Sequence, residues 1–256
     1  MLPPPDQHPN ARVSMTDAVM EHVRSSIVEG SMAPGEWYSV YRLADELAIS
    51  RSPVRDALLR LEEIGVIRFA KNRGFQLVPT TPEDVAQIFS IRSALEVPAA
   101  GRASLSRTPE QADQIAALRT AMDTAAAETD EKVFFERDQD LHAVILTAAG
   151  MNRAREMVNK LRVSTRMLGA STSHGLRTLE DISREHEPII TAVLGGDPHA
   201  ARDAMERHLA ATGSLLVQQA LNRSGDERDA ALLWSQLTDG YFEETSIASA
   251  PPNDPI

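Results

Sequence analysis

The chain has 256 residues, no cysteine, and 37 acidic against 26 basic side chains, for a formal net charge of −11. Without cysteine there are no disulfides or thiolate metal sites, as in a cytoplasmic protein, and no apolar run approaches the roughly 18 residues of a membrane span. The length implies two domains, and the charge excludes a generally basic nucleic-acid coat, so any affinity for DNA must be local.

In chain order, residues 1–10 hold four prolines and no cationic stretch before an apolar core, which reads as a floppy leader rather than a signal peptide. Thr16-Asp17 can cap a first helix that carries Val19, Val23 and Ile27 on one side and stops at Gly30. Residues 37–40 read as a short extended piece. A brief helical pattern follows with Leu43, Ala44 and Leu47 apolar, then a tight Ala48-Ile49 junction.

The stretch from Ser50 to Leu61 predicts a second helix. Ser50 is placed to cap it, Pro53 falls in its first turn where the missing donor costs little, and Gly65 supplies a left-handed stop. Val54, Ala57, Leu58, Leu61 and Ile64 form one apolar face at helical spacing. Arg51 and Arg55, four apart, share another face. Two strands at residues 66–69 and 75–78 flank a cationic turn, Lys71-Asn72-Arg73-Gly74. Helix, turn, helix and basic hairpin in this order describe a winged helix-turn-helix over residues 14–79, whose second helix enters a DNA major groove. The alternative is a surface helix and hairpin whose arginines are merely solvated. Residues 42–73 hold seven basic and five acidic side chains, a local excess of two on an acidic protein, which suits reading of a short site.

Pro79-Thr80-Thr81-Pro82 is a rigid boundary that also starts the next helix, with Thr81 as cap and Pro82 at the first helical position. Residues 82–222 carry no strand signal. Six helical patterns break at Thr108-Pro109, near Thr129-Asp130, at Gly150, around residues 173–175 and at Gly195-Gly196-Asp197-Pro198, which predicts a six- or seven-helix all-α bundle. Ala94, Ala99, Ala100 and Ala103 permit close packing. Residues 223–256 read as a polar tail, with a further short helix over residues 229–237 and a disordered end.

Inside the bundle, Asp138 and His142 are four apart on a face continued by Phe134, Leu141 and Ile145. His186 lies among Ile182, Ile189 and Val193, and His208 between Met205 and Ala211. One inward histidine is commonly a satisfied core residue. Three, with an aspartate, on the inward faces of separate helices point to a shared partner, because unpaired buried polar groups are costly. An O,N,N,N set suits zinc, nickel, manganese or iron as a divalent ion. Metalloenzyme chemistry is a competing use of such a site, yet no general base stands beside the four.

The run from Leu43 to Leu58 together with Arg73-Gly74, preceded by Ile27-Val28-Glu29-Gly30 and Met32-Ala33-Pro34-Gly35-Glu36, resembles the DNA-binding domain of GntR-family regulators. The resemblance implies DNA contacts by Arg51, Ser52 and Arg55, with Lys71 and Arg73 on the wing and Gly74 letting the wing approach the minor groove. Some members carry an arginine where this chain has Ser39 or Tyr41, and Arg42 is the candidate replacement. Asp138-x-x-x-His142, Glu185-His186-x-x-Ile189 and Met205-x-x-His208-Leu209 resemble the ligand-sensing FCD domain of the FadR branch, as do Ile91-Arg92-x-x-Leu95-Glu96 and Gly150-Met151-Asn152. This implies a divalent metal on Asp138, His142, His186 and His208, with zinc, nickel or manganese expected, and a small carboxylate effector at its open positions. Arg92 is the expected second contact, or else a salt-bridge partner of Glu96, and Asn152 an amide contact. The remaining histidines (His8, His22, His174, His199) match no ligand position. The expected protein is a homodimeric, ligand-responsive repressor of a pseudo-palindromic operator.

Overall fold

The computed structural model describes residues 14–167 and 177–238. The expectations for residues 1–10, His8, the break at 173–175, His174 and the end of the tail lie outside them.

The N-terminal half runs α1 (Met15–Val28), β1 (Trp37–Tyr38), α2 (Val40–Glu46), α3 (Arg51–Glu63), β2 (Ile67–Ala70) and β3 (Gly74–Leu77). Helix α1 is capped by Ser14, which accepts from the Asp17 amide at 3.1 Å, so Thr16 and Asp17 lie inside the first turn instead of before it. Ser50 does occupy the N-cap of α3 in extended backbone, but its hydroxyl makes no capping bond. The α2–α3 junction turns through Ala48 at φ 53° and closes with the Ile49 amide on Ala44 O at 3.1 Å. The three strands form an antiparallel sheet of order β1-β3-β2, with Phe69 opposite Phe75 and Trp37 opposite Gln76. Val19, Val23, Leu43, Val54, Leu58 and Phe75 make one buried core, so the apolar face read from α3 is the face that packs. The wing turn needs positive φ at Asn72 and Gly74. At Gly74 a Cβ would meet the carbonyl oxygen of Tyr38 at 2.0 Å. The close approach of β1 therefore requires the glycine, whatever the wing contacts.

The C-terminal half contains α4 (Pro82–Ser106), α5 (Pro109–Ala127), α6 (Glu131–Ala148), α7 (Asn152–Met167), α8 (Leu179–Gly195), α9 (Pro198–Ser224) and α10 (Ala230–Thr238). Thr81, Thr108 and Thr178 start α4, α5 and α8 with reciprocal capping boxes to Asp84, Gln111 and Asp181, satisfying donors that the first turn leaves free. The most extensive pairing is α4 along α9, and α10 packs on both. Ala99, Ala100 and Ala103 are buried in this second core, whereas Ala94 faces solvent. Helix α7 packs on α6 and also against α1. Its Val163 packs on the N-terminal core, and Lys160 pairs with Glu63 of α3.

Candidate functional site

Helix α3 and the wing present their cations outward. Arg42, Arg51, Ser52, Arg55, Lys71 and Arg73 are all exposed, while Val54, Ala57, Leu58 and Leu61 hold α3 to the core. Two of the arginines lie over aromatic rings. The Arg51 guanidinium is 4.2 Å from the ring centroid of Tyr41, and that of Arg73 is 5.5 Å from Trp37. A cation over a ring face is held in a restricted set of rotamers, so less entropy is lost when it meets a partner. Tyr41 thus supports Arg51.

The bundle brings together residues from five helices. His142 on α6, His186 on α8 and His208 on α9 are buried, and each offers a ring nitrogen within 4.8 Å of the others. Asp138, one turn before His142, reaches the same place: its Oδ1 is 2.9 Å from His186 Nε2 and 3.5 Å from His142 Nε2. The other atoms of these groups are committed. His142 Nδ1 pairs with the Glu96 carboxylate of α4, and His186 Nδ1 lies 2.8 Å from Ile182 O. A carbonyl or carboxylate accepts only, so both Nδ1 atoms carry a proton, and in the neutral ring Nε2 then presents a lone pair. Asp138 Oδ2 accepts from Arg162 of α7. That leaves Asp138 Oδ1, His142 Nε2, His186 Nε2 and His208 Nδ1 buried without a hydrogen-bond partner. Two Nε2 atoms face the same carboxylate oxygen, an arrangement that needs a proton or a cation between them, and the outward Nδ1–H bonds hold the rings as they hold ligand imidazoles. The donor set fits a divalent metal ion.

Residues 15–77 match the family described as bacterial regulatory proteins, gntR family, and residues 87–211 match the FCD domain. The chain belongs to the GntR family. It is 26% identical over 200 residues to the probable D-xylose utilization operon transcriptional repressor of Paenarthrobacter nicotinovorans, spanning 78% of this chain and 88% of that one. It is 27% identical over 187 residues to the HTH-type transcriptional repressor RspR of Escherichia coli K12, spanning 73% and 82%. The solved structure of E. coli McbR/YncC superposes with a TM-score of 0.64 at 22% identity, over 81% of this chain and 99% of that one, which speaks to the fold alone. This GntR protein is therefore a transcriptional regulator with a winged helix in front of an FCD domain, in a family of regulators rather than enzymes. No described helix is long and apolar enough to cross a membrane.

In the FCD domain the histidine cluster opens onto a cavity with about 530 Å³ of empty space, counting its mouth. Its lining holds three arginines, Arg92, Arg162 and Arg166, against one carboxylate, Asp138. Arg92 is 4% exposed, gives its Nε to Glu96 at 2.8 Å, and lies over the Phe89 ring at 4.7 Å. Arg92 makes the expected salt bridge to Glu96 and also lines the cavity. Burial would raise the Asp138 carboxyl, but the Arg162 guanidinium beside it holds it well below the usual carboxylate range. Glu96 is likewise pushed up by burial and pulled further down by Arg92 and His142, so the carboxylate behind His142 is ionised. Burial pushes His208 well below the usual histidine range, which keeps its ring neutral and able to donate a lone pair. Arg166 is lowered by burial and by the like charges of Arg162 and of Arg24 on α1.

Asn152, the first residue of α7, is exposed and does not line this cavity. His199 is exposed, and His22 is half-buried with Nε2 3.5 Å from Glu46, both away from the cluster. Reading the sequence missed Arg162, Arg166 and Thr212, which line the cavity. The only signal available was the four-residue spacing of the two arginines on one helix.

Proposed function

We propose that this regulator is a homodimeric repressor whose FCD domain holds one divalent ion, zinc, nickel or manganese, on Asp138, His142, His186 and His208. A small organic acid bound beside that ion would then modulate operator binding. The observation that carries this reading is the convergence of four buried, unpartnered acceptor atoms, with Glu96, Ile182 O and Arg162 behind them. An ion there supplies exchangeable positions for a carboxylate oxygen. Arg92, with Arg162 and Arg166 of α7, supplies the surrounding positive charge, which favours an anionic ligand.

On the DNA side, Arg51, Ser52 and Arg55 are offered to base edges, Arg42 to the backbone beside them, and Lys71 and Arg73 to phosphates. One recognition helix spans few base pairs, so two copies on a pseudo-palindromic site are needed for useful affinity. To regulate, the acid must favour one arrangement of the two domains over another, since equal affinity for both shifts nothing. Residues 79–82 are the covalent joint. Helix α7 supports a second route: Arg162 and Arg166 face the cavity, while Val163 packs on the core of the winged helix.

A thermal-shift screen of organic acids, with and without Zn²⁺, tests the reading. The expected hits stabilise the metal-loaded wild type and lose their effect on His186→Ala. Hits that stabilise the metal-free His186→Ala protein equally well refute the metal as the anchor.

A further inference from the structure

Helices α4 and α9 run antiparallel in a register fixed by two glycines. A Cβ on Gly101 would strike Arg202, and a Cβ on Gly213 would strike Phe89 at 2.8 Å, so residues whose numbers sum to about 302 face each other. The cavity wall they share is therefore layered. At the first level stand Glu96, which holds His142, and the ligand candidate His208. One turn away stand Arg92 and Thr212, and beyond them Phe89 and Leu216. Within the middle layer, Arg92 Nη2 and Thr212 Oγ1 are buried polar atoms with no partner. The Arg92 guanidinium is already ionised and anchored through Nε to Glu96, so its free Nη2 is a fixed donor. Two orphaned donors from facing helices, in a cavity wall, are an acceptor site.

The outer layer is closed from behind by α10. Trp234 packs 6.3 Å from Phe89, and its ring occupies the space that a side chain at position 213 would fill, with would-be contacts at 2.2 and 2.3 Å. Only glycine at 213 admits the indole. Phe89 is thereby wedged between Trp234 and the Arg92 guanidinium stacked on it. Residues 212–238 lie beyond the stretch that matches the FCD domain.

We propose that Arg92 and Thr212 form a second anchor that binds a carboxylate on the far end of the effector. Trp234 is the positioning residue that sets how long the acid can be. The inference rests on the reading that one carboxylate binds beside the metal. It specifies an acid with two carboxylates separated by about one helical turn, roughly 5 Å, with an apolar end wall behind the second.

The experiment is calorimetric titration of the Zn²⁺-loaded full chain with propionate and with malonate, succinate, glutarate and adipate. In wild type one dicarboxylate is expected to bind at least tenfold more tightly than propionate, about the worth of charge-assisted hydrogen bonds. Thr212→Val, nearly isosteric, should reduce that advantage about tenfold. Trp234→Ala should move the optimum toward a longer acid, with its melting curve recorded to show that the bundle remains folded. If wild type binds propionate and no dicarboxylate better, the second anchor does not exist. The same conclusion follows if the dicarboxylate advantage survives Thr212→Val intact. An unshifted optimum in folded Trp234→Ala overturns the role of α10. A wild type that takes up neither zinc nor any acid refutes the metal-and-acid reading itself, and this inference with it.

Discussion

Replacing His186 with alanine tests the metal centre through stability as well as through composition. The residue is 1% exposed, and its ring makes one bond, from Nδ1 to Ile182 O at 2.8 Å. In metal-free protein the substitution removes that bond, worth about 1 kcal/mol. It also empties the space of a buried ring, and the cavity destabilises the bundle further. The metal-free variant is therefore expected to melt below the metal-free wild type. With metal the gap widens. An ion at a hundredfold its dissociation constant stabilises the native state by about 2.7 kcal/mol. For a chain of this size each kcal/mol moves the melting temperature by about 2–4 °C, so Zn²⁺ should raise the wild-type melting temperature by roughly 5–11 °C. His186→Ala should show little of that rise and should carry little metal by elemental analysis. Melting curves of both proteins, each after chelation and after Zn²⁺ addition, give the four numbers required. An equal Zn²⁺-induced rise in the two proteins would falsify the assignment.

Arg55→Ala and Arg51→Ala are expected to cost about 1–3 kcal/mol of operator affinity each and to relax selection at one base pair, read by binding to selected and single-substituted duplexes. Unchanged affinity for the best duplex would remove α3 from the groove. Lys71→Ala and Arg73→Ala should weaken binding to all sequences alike and flatten its salt dependence by about one phosphate contact each. Val163→Ala should leave metal and acid binding intact while shrinking the acid-induced change in operator affinity, and an undiminished change would exclude α7 as a route between the domains. Sedimentation equilibrium should show a dimer at micromolar concentration, and a monomer both free and on DNA would exclude two-half-site recognition.

The order of elements was legible because the signals are local. Pro82 and Pro109 behind Thr81 and Thr108, the apolar spacing from Val54 to Leu61, and the Asn72–Gly74 turn each act within a few residues. The cap of α1 was misplaced by two residues for the same reason: Ser14, Thr16 and Asp17 are all competent caps, and residue type alone does not choose among them. The inward direction of Asp138, His142, His186 and His208 could be read from the apolar residues beside them.

What the sequence by itself determined is thus the winged helix, the helical bundle and the residue types able to hold an ion. The partners of those residues were decided only by tertiary packing. Glu96 meets His142 across 46 positions, and Arg162 meets Asp138 across 24. Helical spacing tells which way a side chain points on its own helix, but the rotation and register of the facing helix decide what it meets. Gly213 shows the same limit: in sequence it is a weak spot in α9, and in the fold it is the notch that seats Trp234 behind Phe89.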